Sequence, residues 1–239
     1  MTRVSRDTVV FLPGLLCDRA VWEPQIAPLS ARFDCLVADY GAADSLAVMA
    51  QAALASAPPR FSLVGHSMGG RVALEVMRTA PQRVAAIALL DTGYQARAPG
   101  EAGEAEARAR YRLLDIAFAQ GMRVMGGEWV RGMVHSERWP DRALMEPILA
   151  MIERKTAGIF AAQIRALLDR PSAEDVLCAI RCPTLVLCGR QDNWSPLRRH
   201  EEMAGMVAGA RLAVIEDSGH MVTLERPQAV TAALQSWLA

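Results

Sequence analysis

Six short runs of apolar residues punctuate the chain: TVVFLPG (8–14), FDCLVAD (33–39), FSLVGHS (61–67), VAAIALLD (84–91), PTLVLCG (183–189) and RLAVIED (211–217). Their apolarity is nearly continuous rather than alternating, which is the pattern of strands buried on both faces under helices. Between most of them the period changes to three and four. SLAVMAQAALAS (45–56) and GRVALEVMRTAP (70–81) align apolar side chains along a helical face, and Pro81 stops the second. SPLRRHEEMAGMV (195–207) and RPQAVTAALQSWL (226–238) open with proline near the first turn, where its missing N–H costs little. Strand and helix in alternation predict an α/β fold, with a mostly parallel sheet of about six strands flanked by helices.

Residues 94–180 break the alternation. They contain no convincing strand and read as several helices, interrupted at Gly121, at the Gly126-Gly127 pair and at SERWPD (136–141). The expected organisation is a core domain of residues 1–93 and 181–239, with residues 94–180 inserted between two strands as a helical cap.

Composition narrows the class of protein. The 26 basic and 26 acidic residues cancel, so nothing suggests a nucleic-acid surface or a polyanionic partner. No window has the apolar length of a membrane span, and the opening MTRVSRDTVVFLPG lacks a secretory pattern, so a cytoplasmic placement is expected. The five cysteines (Cys17, Cys35, Cys178, Cys182 and Cys188) are odd in number, with no CxxC pair and no histidine at zinc-like spacing. Buried free thiols are the expectation, with no metal and no cofactor.

The chemistry gathers at FSLVGHSMGG (61–70). A GxSxG match alone is weak evidence, but this one falls where a buried strand meets an amphipathic helix. Such a turn lifts its central residue, Ser67, above the sheet, and Gly65 and Gly69 leave room for it. A serine hydroxyl needs a base. His66 is adjacent and projects in a different direction. His135 lies in the helical insertion, and His200 follows two arginines on a helix that reads as solvated. His220, in EDSGHMVTLERP, sits in the loop after the last strand, at the carboxyl end where parallel sheets assemble sites. Asp192, in GRQDNWSP after the fifth strand, is the preferred acid to orient that imidazole. Asp91, closing the fourth strand, is the main rival; Glu216 and Asp217 lie close to His220 in sequence.

The order Ser67…Asp192…His220, with GHSMGG, GRQDNWSP and DSGHMVTLERP on the right loops, resembles the α/β-hydrolase fold superfamily over nearly the whole chain. The resemblance implies a cap over residues 94–180 and an oxyanion hole made by two backbone N–H groups, those of Met68 and Leu15. The loop that often reads His-Gly in that family reads Pro13-Gly14 here, and a backbone donor survives the change. DYGAADS (39–45) is a degenerate form of the family's glycine-rich turn, and two strands common at the start of its sheet are missing.

The resemblance also implies acyl transfer through Ser67, with His220 as base and then acid. Leu15, Leu16, Met68, Trp194 and Met221 surround these motifs and are mostly apolar, so the expected substrate is a small, largely apolar ester or lactone, with water as co-substrate. Carbon–carbon bond hydrolysis, acyl transfer, perhydrolysis and elimination use the same triad, and a slow-turnover ligand receptor is the rival of a different class. The insertion holds 11 arginines and one lysine against 12 acids, so composition singles out no substrate-binding arginine there. The oligomeric state is not legible.

Overall fold

All six apolar runs become strands of one sheet in a computed structural model that describes residues 6–239; the polar opening at residues 1–5 lies outside the described residues. The strands are β1 (Thr8–Leu12), β2 (Asp34–Val37), β3 (Phe61–His66), β4 (Val84–Leu90), β5 (Thr184–Gly189) and β6 (Arg211–Ile215). Every pairing is parallel, in the order β2-β1-β3-β4-β5-β6.

The continuous apolar pattern holds its meaning for β1, β3, β4 and β5, whose side chains are almost all buried. Each large aliphatic side chain sealed there contributes about 1.5–3 kcal/mol. It does not hold for β2 and β6. These are the sheet's edges, covered incompletely, and Leu36 and Leu212 each remain 39% exposed. Their shortness and their charged residues Asp34 and Arg211 suit an unpaired edge.

The flanking helices are α1 (Glu23–Leu29), α2 (Leu46–Ser56), α3 (Met68–Thr79), α4 (Glu101–Gln120), α5 (Met122–Met133), α6 (Arg142–Glu153), α7 (Ala157–Leu168), α8 (Glu174–Ala179), α9 (Leu197–Met206), α10 (Val222–Glu225) and α11 (Pro227–Trp237). Helix α1 has no clear sequence period, because two prolines fall within its seven residues. Helices α4 to α8 fill the segment between β4 and β5. Gly121 separates α4 from α5 with a φ of 90°, as its position suggested. The Gly126-Gly127 pair does not break α5. A Cβ on Gly126 would stand 3.1 Å from Ile152 Cγ2, so this glycine lets α5 and α6 approach closely. The cysteines also divide: Cys17 and Cys188 are buried and Cys35 and Cys182 half-buried, but Cys178 is exposed, since it lies on the short surface helix α8.

The strand order reverses beside β1, whose chain continues into β2 on one side while β3 lies on the other. A crevice therefore opens at the carboxyl ends of β1 and β3. The register pairs Leu12 with Gly65, which brings the loop after β1 against the turn that carries Ser67.

Candidate active site

Strand β3 ends at His66 and α3 begins at Met68, leaving Ser67 alone in the turn with φ 55° and ψ −118°. A non-glycine residue held there costs about 1–3 kcal/mol, so its surroundings must impose it. They do. A Cβ on Gly65 would lie 2.4 Å from the Gly69 carbonyl oxygen, and one on Gly69 only 2.0 Å from that of Leu12. The Ser67 N–H donates to Leu90 O (2.9 Å), and Thr92 Oγ1 donates to Ser67 O (2.6 Å).

Above the sheet the Ser67 hydroxyl lies 2.7 Å from His220 Nε2, and His220 Nδ1 lies 2.7 Å from Asp192 Oδ2. An acceptor carboxylate fixes the proton on Nδ1, leaving Nε2 free to accept from the serine. The other Asp192 oxygen accepts from the N–H groups of Trp194 (2.8 Å) and Ser195 (2.9 Å). Burial alone would raise the Asp192 carboxyl, but His220 and these donors outweigh it and hold the group below the usual carboxylate range. The histidine loop is itself built. Glu225 Oε1 accepts from the N–H groups of Gly219 (3.0 Å) and Met221 (3.1 Å), and His220 N–H donates to Met133 O at the end of α5 (2.7 Å).

The rival residues fall elsewhere. His66 is buried beneath the turn and donates Nε2–H to the His220 carbonyl (2.7 Å); burial and its neighbour His220 push its pKa down to about 3. It is a neutral prop under the loop. His135 sits outside the relay and accepts weakly from Glu137 N–H (3.4 Å). Asp91 is buried and accepts from Gly189 N–H (2.8 Å); burial and the neighbouring Asp192 raise it well above the carboxylate range. Glu216 pairs with Arg190 on the surface, and Asp217 turns the loop with a φ of 50°.

His200 corrects the sequence reading. Its helix bears two arginines, yet its ring is completely buried, and Nε2 accepts from Thr92 N–H (3.0 Å). Burial pushes its pKa down to about 4, so the folded state excludes a proton that the unfolded chain binds near pH 6.5. Stability is therefore lost as pH falls from about 6.5 toward 4. The His200→Gln protein is expected to lose less over that window, by up to about 1.4 kcal/mol per pH unit. Urea melts of both proteins at pH 7, 6 and 5 measure the difference.

A cleft of about 960 Å³ opens over Ser67. Leu15, Met68, Trp194 and Met221 line it, as does Cys17. Leu16 does not, contrary to expectation. Its backbone is left-handed (φ 59°), its side chain is wholly buried, and its N–H donates to Gln163 Oε1 on α7 (2.9 Å). The N–H groups of Leu15 and Met68 have no acceptor among the described residues and flank the turn. Trp194 stands with its ring 5.0 Å from that of His220 and stacks on Trp129 of α5 (5.5 Å).

The wall is not uniformly apolar: five arginines, including Arg71, also line it. The sequence reading missed Arg71, although its place four residues after Ser67, one helical turn away, was a usable signal. Gln163 carried no signal, because its partner is a backbone group 147 residues away. Glu225 lies within six residues of Gly219 and Met221, but its third partner, the His135 N–H, is 90 residues away. Among the described residues no group of three His, Cys, Asp or Glu is arranged to hold a metal ion, and no helix is long and apolar enough to cross a membrane.

A model of the alpha/beta hydrolase family matches residues 9–234. The chain is similar to the biotin biosynthesis bifunctional protein of Cellvibrio japonicus, with 24% identity over 98% of this chain; it spans only 48% of that protein's length. It is 27% identical to an (E)-2-((N-methylformamido)methylene)succinate hydrolase of Acinetobacter baylyi, across 97% of this chain and 90% of that one. Among solved structures, a thermophilic esterase from Thermogutta terrifontis superposes with a TM-score of 0.86 at 26% identity, covering 98% of this chain and 90% of that one.

Proposed function

The chain belongs to the alpha/beta hydrolase family, and from that premise we propose that it is a serine hydrolase acting on a carboxylic ester or lactone. The observation that carries the reading is the unbroken relay Ser67–His220–Asp192, with both links at 2.7 Å. In the proposed reaction His220 Nε2 takes the Ser67 proton as Oγ attacks the carbonyl carbon. The Leu15 and Met68 N–H groups receive the oxyanion, His220 protonates the departing alcohol oxygen, and water repeats the cycle on the acyl-enzyme. Asp192 stays ionised throughout and stabilises the imidazolium. Helices α4 to α8 serve in this reading as a cap, contributing Trp129 and Met133 to the cleft.

A fluorophosphonate probe tests the nucleophile directly. Labelling at Ser67 alone, found by peptide mass spectrometry, is the expected result, and labelling elsewhere overturns the reading. A panel of p-nitrophenyl esters of increasing acyl length, with lactones alongside, then measures the acyl pocket beside Leu15.

A further inference from the structure

Arg71, Arg97, Arg110, Arg170 and Arg199 line the same cleft as Ser67. Two of them share one carboxylate. Glu106 accepts from Arg110 Nε and Nη2 (3.0 and 2.9 Å) and from Arg170 Nη1 and Nη2 (both 2.8 Å). Burial alone would raise the Glu106 carboxyl, but these two guanidinium groups hold it down near 2. One carboxylate thus lies clamped between two arginines.

Arg71 and Arg199 have no such partner. Among the described residues no carboxylate comes within 4 Å of either guanidinium. Each donates instead to a neutral carbonyl, Arg71 to Gln95 O (2.9 Å) and Arg199 to Trp194 O (3.0 Å). Their heads nevertheless converge. Arg71 Nη2 and Arg199 Nη1 lie 2.9 and 3.3 Å from the point where a Cβ of Gly93 would stand. Both side chains are half-buried, and burial together with the charges of Arg170 and Arg199 disfavours the cationic form of Arg71. Two like charges drawn together in a half-buried wall repel each other and are relieved by an anion between them.

We propose that Arg71 and Arg199 form a carboxylate-binding subsite, so that the substrate is an ester or lactone bearing an acid group apart from the bond that is cleaved. This rests on the serine-hydrolase reading above. The planar guanidinium fork matches a carboxylate, and the Glu106 clamp shows the same wall already holding one in that way. Arg71 lies in the first turn of α3, directly after Ser67, and both line the same cleft, so the acid and the scissile carbonyl belong to one small molecule. Leu15, Leu113 and Trp194 supply apolar wall for the carbon chain that joins them.

Paired substrates test the subsite: phenyl hexanoate and the mono-phenyl ester of adipic acid, which differ by the terminal acid. The wild-type protein is expected to show at least tenfold higher kcat/KM on the acidic ester. Arg71→Gln and, separately, Arg199→Gln are each expected to lower the acidic-to-neutral ratio by roughly 10- to 100-fold, chiefly through KM. Calorimetric titration of Ser67→Ala with the adipate ester supplies a readout without turnover, and adding Arg71→Gln should weaken that binding by the same factor. Hydrolysis of both esters at equal rates overturns the subsite and leaves the serine-hydrolase reading intact. Arg71-dependent binding without hydrolysis of either ester supports the subsite and overturns that reading. Preference for a phosphonate-ended ester over the carboxylate overturns the assignment of the anion.

Discussion

Replacing Ser67 with alanine should lower turnover of any ester the protein cleaves by roughly 10⁴- to 10⁶-fold while the fold survives. The chemical part of the effect is large because the substitution removes the one oxygen that touches His220 Nε2. The oxyanion donors and the cleft remain, so KM should change little and a residual rate above that of water should persist. The structural part is small. The left-handed backbone at this position is imposed by the close approaches at Gly65 and Gly69, and a serine and an alanine bear similar strain there. One lost hydrogen bond costs about 1 kcal/mol. Steady-state kinetics and a thermal melt on the same preparation separate the two effects. Wild-type turnover in the alanine protein would remove Ser67 from the mechanism.

Asp192→Asn should cost about 10⁴-fold in kcat, and Asp91→Asn less than tenfold. Sequence reasoning left both acids in contention, since each follows a strand that ends near the relay. Their surroundings differ. Asp192 is held ionised against His220 Nδ1 at 2.7 Å, and an amide there can present its N–H₂ to the ring and favour the wrong tautomer. Burial and the neighbouring Asp192 raise the Asp91 carboxyl and disfavour its charged form, so an uncharged asparagine is a mild replacement there. Its main bond, from Gly189 N–H, needs only a carbonyl oxygen. Measured kcat values for both variants decide the matter, and the reverse ranking would reassign the acid.

What was legible in the sequence followed from local rules. A continuous apolar run says that a strand is covered, and glycines around a serine say that a turn is tight. Those rules located the six strands and the three loops that bring Ser67, Asp192 and His220 together. They failed where a residue's environment is made by distant chain. The edge strands carry the same apolar composition as the central ones, and only the sheet order reveals their exposure. His200 reads as solvated beside Arg198 and Arg199, but α9 turns that position inward to meet the backbone of Thr92. Leu16 looked like a wall of the cleft until its N–H proved to be tied to Gln163, a contact spanning 147 residues. The insertion's balanced charge likewise hid the fact that Glu106 satisfies only two of the arginines in the cleft.

The relay also has a consequence in time. Ser67 and the imidazole that touches it are separated by 153 residues, and all the helices of the insertion lie between them. During synthesis the serine emerges long before His220 exists, so on the proposed serine-hydrolase reading a fragment that ends before residue 220 has no base to activate Ser67. Such fragments are expected to be inert toward esters, whatever local structure the turn has gained. Reactivity arrives late and all at once, when the loop after β6 settles between the Met133 carbonyl above and His66 beneath.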